Sequence, residues 1–595
     1  MMAFSVNLPW LFDNNISFRG AMRSRNSLSF GSCAAFALLL IVFAVSPAHA
    51  QLKAKVEVEP AQVKAMIYTT SFGIATDRWD ANAYDPATIR LLQDAGITNL
   101  RFPGNGGIDA LYHWSTGKII NPYTDDRAPA FPAEKQFPAV VPVIDALGTG
   151  LVSVNYGSNL NGTGGGEPAE AAAWVAYANG NPSSTQVIGK DSVGNDWKTV
   201  GFWASLRASS PLATDDGYNF LRIAHPTPIG IQLWTVGNEP WGDGFYGQSR
   251  TVGSDADNEG KYGQSPPPEP DLHAGKVNNS KDWGRHQGND RVGPTAYGNA
   301  VVAYAKAMKA VDPTIMIGAF VMLPPYAKDA NQVGKNWNAD VLKAACGSMD
   351  FSAATFWEGK GAAPDWVKNV DERDLLLEAR DEMDPNRYYP GENDVRHDFN
   401  ILGRDLLEKY KKYCPKGHAP QLAVTGLGLA SWLPAENPAA TAMFSADSVA
   451  QLLETGAYTV MWSPIHALSP SFLDDKNKPQ PAYYGIKLLH TVAGVGDALV
   501  TANSPLDTLA VHAVKRRDGG FGLLLINKDL VHAMAVTVSV DGYNYATTGT
   551  RYDYGKLNIE AGKEITEAPI TNLGPTFTVE VPRYGITAVV IPKAQ

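Results

Sequence analysis

The chain has 595 residues, of which 44% are hydrophobic, 10% aromatic and 18% charged, a balance that excludes a disordered, fibrous or multi-pass membrane protein. Its 50 basic and 60 acidic residues give a net charge of -10 with no basic block, which argues against nucleic acid as a partner. So long a chain exceeds one ordinary core, and a principal domain with a smaller companion is expected.

At the amino end Arg19, Arg23 and Arg25 precede an apolar run from Cys33 to Val45, followed by Ala48-His49-Ala50. This is the pattern of a secretory signal over residues 1–50. The apolar run is too short for a comfortable bilayer span. A secreted or periplasmic protein without a stable membrane anchor after signal cleavage is therefore expected. Cys33 leaves with the signal, and Cys346 and Cys414 remain; a disulfide and two isolated thiols both fit an oxidising compartment. No CxxC, HExxH or Cys/His cluster occurs, so no metal site and no cofactor are expected.

Residues 63–490 alternate short apolar runs with longer segments of helical spacing, which predicts parallel strands joined by crossover helices. The predicted strands are AMIYTTSF at 65–72, ITNLRF at 97–102, LVSVNY at 151–156 and IQLWTV at 231–236. TIMIGAFV at 314–321, DFSAATFW at 350–357, QLAVT at 421–425 and AYTVMW at 457–462 complete a set of eight. The expected fold is α/β, a closed (β/α)8 barrel, whose chemistry sits on loops at the carboxyl ends of its strands. Two loops, roughly 241–294 and 358–397, are much longer than ordinary connections. Beyond residue 490 the pattern changes to short alternating runs such as FGLLLIN and MAVTVSV. These predict an antiparallel β-sandwich over 491–595, to which residues 51–62 could add a strand.

The sharpest local signal is Leu233-Trp234-Thr235-Val236-Gly237-Asn238-Glu239-Pro240-Trp241, an apolar strand ending in a polar pair between aromatic residues. It places Glu239 at the barrel mouth. A carboxyl against Trp faces is partly desolvated, which favours its protonated form and suits it to protonate a departing glycosidic oxygen. Asn238 could hydrogen-bond a sugar hydroxyl beside the scissile bond. Termination of a strand by Asn-Glu-Pro is the plainer reading of the same residues.

TVGNEPWG resembles the fourth-strand motif of clan A glycoside hydrolases, in which Asn precedes the acid/base Glu. The likeness is to the α-L-arabinofuranosidase and β-xylosidase group, and it recurs in LRFPGNGG at 100–107, AYAKAMKAVDPTIMIGA at 303–319 and PQPAYYGIKLL at 479–489. The resemblance implies a secreted glycoside hydrolase acting on O-glycosidic bonds of poly- or oligosaccharides, arabinose- or xylose-containing ones among them. It implies Glu239 as general acid/base, Asn238 as a sugar-binding neighbour, Arg101 as the second-strand residue that orients the active-site carboxylate, and Trp462 as an eighth-strand platform. Salt bridging for Arg101 and barrel packing for Trp462 are the structural alternatives.

The chain departs from that group at the seventh strand, where Gly426 stands in place of the nucleophilic Glu. Three accounts follow. Glu358, just past the predicted sixth strand, could supply the second carboxylate from the neighbouring strand. A water activated by a loop carboxylate could act by inversion, across a wider gap of roughly 6.5–9.5 Å. Or the barrel could bind glycans without turnover, through Trp114, Trp241, Trp357 and Trp462.

Overall fold

The computed structural model describes residues 51–77, 80–104, 111–120, 136–162, 165–240, 293–321, 334–358, 399–429, 438–466 and 470–594, with residues 293, 334–336, 357–358 and 399–405 described by backbone alone. The chain enters through a long strand, β1 (Leu52–Met66), and then forms β2 (Phe72–Ala75), β3 (Asn99–Phe102), a small hairpin of β4 (Tyr112–His113) and β5 (Lys118–Ile119), and β6 (Thr149–Val154). β7 (Leu233–Val236), β8 (Met316–Phe320), β9 (Phe351–Glu358), β10 (Gln421–Leu429) and β11 (Ala457–Trp462) follow. Eight of these close into a barrel in the order β2-β3-β6-β7-β8-β9-β10-β11, the last pairing back onto the first. All neighbouring pairs in it are parallel.

Such strands are covered on both faces, so their sequences read as nearly unbroken apolar runs. Leu233, Trp234 and Val236 of β7 are all buried, as are Ile317, Ala319 and Phe320 of β8. Several covering helices begin with proline, at Pro86, Pro168 and Pro481, where the missing N–H has no helical acceptor to lose. The barrel interior also holds polar pairs: Asn99 Nδ2 donates to Thr459 Oγ1 at 3.1 Å and Thr235 Oγ1 to Ser153 Oγ at 2.9 Å.

The first barrel strand lies further along than expected. The apolar run 65–72 is divided by a turn in which the Ser71 amide donates to the Tyr68 carbonyl and the Tyr68 amide to Ser71 Oγ. Everything up to Met66 belongs to β1 of the second domain. Two strands separated only by residues 67–71 give one continuous pattern in sequence.

The second domain adds β12 (Ala498–Asn503), β13 (Leu509–Lys515), β14 (Phe521–Asn527), β15 (Met534–Val540), β16 (Gly549–Gly555), β17 (Thr566–Ile570), β18 (Thr576–Val581) and β19 (Gly585–Ile591). They form one nine-stranded sheet, β17-β16-β19-β14-β13-β12-β1-β15-β18. The sheet curls so that Val56 and Val58 of β1, Leu523 and Leu525 of β14, and Val536 and Val538 of β15 share one core. β1 pairs antiparallel with β12 but parallel with β15, and so stitches the amino end into the carboxyl-terminal sandwich. Cys346 and Cys414 form a disulfide with Cα atoms 5.2 Å apart. It ties together the ends of helices Gly334–Ala345 and Phe399–Tyr413. Among the described residues, no helix is long and apolar enough to cross a membrane.

Barrel and sandwich are joined by a buried charge cluster. His512 of β13 sits between two carboxylates of helix Pro438–Glu454, with Nε2 3.0 Å from Asp447 and Nδ1 2.8 Å from Glu454. Lys528 reaches Asp447 at 2.6 Å and Lys64 of β1 reaches Glu454 at 2.9 Å. Both imidazole nitrogens face carboxylates, so the ring carries two protons. Burial alone would push His512 down; Glu454 and the hydrogen bonds to both carboxylates outweigh it and push it up to about 9. Because that lies above the unfolded value near 6.5, the contribution of His512 is complete below about 6.5 and is lost as pH rises through about 9. His512→Ala should cost about 3–5 kcal/mol in chemical denaturation near neutral pH, a loss typical of removing one partner from a buried ion pair. In this variant the alkaline decline of stability shown by the parent should flatten.

Candidate active site

β7 delivers the Asn-Glu pair to the carboxyl-terminal rim of the barrel. Gly237 follows the strand with φ +67° and a Cβ there would meet Tyr156 Cβ at 2.9 Å, so glycine is required by both conformation and space. Glu239 itself adopts φ +41°, a left-handed conformation uncommon for a residue with a side chain. Tyr297 anchors the end of the strand, donating to the Val236 carbonyl at 2.8 Å and accepting from the Phe320 amide at 2.9 Å. Asn238 and Glu239 are both buried, 2% and 4% exposed.

Side chains from two other strands hold the pair. Arg101 of β3, fully buried, donates from Nη2 to Asn238 Oδ1 at 2.6 Å and from Nη1 to the Thr425 carbonyl at 2.8 Å. Thr425 is the extra residue of an irregularity in β10 between Val424 and Gly426. Bulges of this kind re-aim backbone groups and recur beside functional sites; here the carbonyl is available to the guanidinium. Thr355 of β9 donates its hydroxyl to Glu239 Oε1. The arrangement can hold one carboxyl group in a defined place, shielded from water and aimed from the barrel rim.

Gly426 lies on β10 directly opposite Thr355. A Cβ built there would meet Thr355 Cγ2 at 3.4 Å and Arg101 Nη1 at 3.7 Å. The position therefore faces the same two side chains that grip Asn238 and Glu239. The structure brings Arg101, Asn238 and Glu239 together with Thr355 and Gly426. Thr355's contact with Glu239 was not read from the sequence, where Thr355 appears only within the predicted sixth strand; its hydroxyl becomes meaningful once β9 and β7 are seen across one rim.

The other candidates are placed differently. The backbone of Glu358 pairs with Leu429, three residues beyond the Thr355–Gly426 pair, about 10 Å further along the strand direction at about 3.3 Å per residue. Trp357 pairs with Gly428. Their side chains, and Trp241 entirely, lie outside the described residues. Trp462 ends β11 fully buried, its ring edge-on to Phe444 at 6.2 Å. Trp114 is also buried, stacked on Trp174 at 5.8 Å and against Trp203 at 5.0 Å, with its indole N–H donating to the Glu170 carbonyl. Its place is in the aromatic core and not on a cleft wall, because its ring is covered from several sides.

The sequence matches no protein-family model and no curated protein. Its fold does match solved structures. An α-L-arabinofuranosidase from Thermotoga maritima in complex with arabinose aligns at 16% identity over 91% of this chain and 100% of its own, with a TM-score of 0.59. A family 51 α-L-arabinofuranosidase from Bifidobacterium longum aligns at 14% identity over 90% and 99%, with a TM-score of 0.61. A family 44 endoglucanase from Clostridium thermocellum aligns at 16% identity over 91% and 100%, with a TM-score of 0.56. The likeness is one of fold, a closed eight-stranded parallel barrel with an attached β-sheet domain.

Arg101→Lys should lower stability by about 1.5–3 kcal/mol in chemical denaturation, because a single ammonium cannot span both oxygens in the guanidinium's forked geometry. An unchanged midpoint would show that the bridge between β10 and Asn238 contributes nothing to the fold.

Proposed function

We propose that this protein is an exported glycoside hydrolase that cleaves O-glycosidic bonds of poly- or oligosaccharides, with Glu239 as general acid. One observation carries the reading: the carboxyl group of Glu239 is buried at the carboxyl-terminal rim of the barrel, next to Asn238, and the two are held by Thr355 of β9 and Arg101 of β3, each two strands away around the barrel. Burial and fixed geometry are what proton donation to a leaving oxygen requires. Asn238 binds a sugar hydroxyl, while Arg101 positions Asn238. Trp241 and Trp357 supply aromatic surface for the sugar rings, whereas Trp462, fully buried against Phe444, packs within the barrel. Glu358 is the first candidate for the second carboxylate. Its backbone displacement from Gly426 fits a carboxyl that activates water better than one that attacks at about 5 Å. Arabinose- or xylose-containing glycans are the proposed substrates, in keeping with the α-L-arabinofuranosidases among the structurally similar proteins.

Gly426 favours a second reading, a barrel that binds glycans without cleaving them. The two separate on a panel of glycosides and polysaccharides. Turnover that falls by about 10²–10⁴-fold in Glu239→Gln, the usual contribution of a general acid, supports hydrolysis; turnover unchanged by the substitution rejects the acid role. Retention on polysaccharide in affinity electrophoresis with no released sugar supports binding alone.

A further inference from the structure

We propose that His113 is a positioning residue for Glu239: held between the Glu170 carboxylate and the turn that follows β6, it fixes the backbone on which the Asn238–Glu239 turn rests. The inference rests on the acid role proposed for Glu239 and adds to it a residue that sets the direction of the acid without touching it.

His113 ends the short strand β4 and is fully buried. Its Nδ1 lies 3.0 and 2.9 Å from the two carboxylate oxygens of Glu170, in the first turn of helix Pro168–Asn179. On the other side, Nε2 lies 3.0 Å from Ser158 Oγ and 3.1 Å from Asn155 Nδ2. Serine, imidazole and carboxylate in a row is the order of an acyl-transfer triad. Ser158 is fully buried, so no substrate carbonyl reaches its hydroxyl, and the row holds backbone in place instead of attacking an ester.

The same contacts decide where the ring carries its proton. Asn155 Oδ1 accepts from the Ser158 amide at 3.1 Å, which turns the Nδ2 amino group of that side chain toward the imidazole. An amino group of this kind only donates, so Nε2 accepts and the ring proton is on Nδ1, where it is given to Glu170. His512 is the contrast, with carboxylates on both sides and a proton on each nitrogen. One donor edge and one acceptor edge let His113 tie a helix to a loop in a single orientation.

What it ties lies next to the acid. Asn155 is the first residue past β6, and its carbonyl accepts from the Tyr304 hydroxyl at 2.7 Å. On either side of it, the Val154 carbonyl accepts from the Gly237 amide at 2.9 Å, and Tyr156 Cβ stands against Gly237, 2.9 Å from where a Cβ would lie. Gly237 is the residue from which the chain turns into Asn238 and Glu239. Arg101 and Thr355 hold those two side chains, whereas the turn after β6 supports the backbone behind them. Without His113 the Asn155 and Ser158 side chains lose their shared acceptor, and the support of Gly237 shifts. A displaced acid raises the barrier where the leaving group needs a proton and leaves it nearly unchanged where it does not.

The test uses the full chain with phenyl and 2,4-dinitrophenyl α-L-arabinofuranosides, β-D-xylosides and β-D-glucosides, comparing kcat/KM between the two leaving groups on each sugar. Dinitrophenolate departs without a proton; phenolate requires one. In His113→Ala, kcat/KM should fall by about tenfold or more on the phenyl glycoside and by no more than about twofold on the dinitrophenyl glycoside. Glu239→Gln should show the same contrast more strongly. His113→Gln, whose amide oxygen is an acceptor at about the reach of Nε2, should recover most of the phenyl-glycoside rate. Thermal unfolding checks that each variant is folded. Ser158→Ala removes one of the two contacts to Nε2 and should show the contrast more weakly, which decides the matter if His113→Ala does not fold. With histidine isotopically labelled for nitrogen NMR, the ring signal that His113→Gln lacks should show a protonated Nδ1 and a bare Nε2 near neutral pH. Equal losses on both leaving groups, no loss in the folded variants, or a proton on Nε2 overturns the positioning role while leaving Glu239 as the acid. Equal losses on both leaving groups in Glu239→Gln, or no turnover of any of these glycosides by the parent, overturns the acid reading and this inference together.

Discussion

A guanidinium inside the barrel organises the rim. Arg101 is fully buried and donates to oxygens from two other strands, the Thr425 carbonyl on β10 and Asn238 just past β7. Because a buried cation is costly unless its hydrogen bonds are made, these contacts fix both partners. Asn238 is thereby held in one orientation, and Glu239 follows it in a left-handed conformation that the surrounding contacts must maintain. The irregularity in β10 belongs to the same device, since it places an otherwise strand-bound carbonyl where the guanidinium reaches it.

Stiffness at the rim depends on the rest of the molecule. Helix Pro438–Glu454, between β10 and β11, is pinned to the sandwich through Asp447, Glu454, His512 and Lys528. The strand that carries Gly426 is therefore followed directly by a segment fixed to the second domain. Such a cluster adds specificity of docking more surely than net stability, because the desolvation of its charges offsets much of their attraction. β1 reinforces the arrangement, contributing Lys64 to the cluster and a strand to the sheet before the chain enters the barrel.

The site departs from a symmetric pair of carboxylates. One carboxyl group is buried and held; opposite it stands a glycine that neither conformation nor packing explains.

Much of this was legible from the chain alone. Unbroken apolar runs at regular intervals announced a parallel barrel, since strands buried on both faces have no other pattern, and alternating runs near the carboxyl end announced the sandwich. Asn238-Glu239 was legible because a polar pair closing an apolar strand stands out locally, and Gly426 drew attention only through the family resemblance, which implies a carboxylate there. β12, β16 and β17 were not: β17 is largely exposed and β16 only half-buried along most of its length, so neither shows alternation. The bridge between Cys346 and Cys414 was left open by sequence, since it depends on two helix ends meeting across 68 residues. Local pattern, in short range, determined which segments of the barrel are strands and which carboxylate lies just past β7. Tertiary structure alone decided that Trp114 is core, that Thr355 touches Glu239 and that Arg101 joins β10 to Asn238, because each of these is a contact between residues remote in sequence, set by barrel closure and strand register.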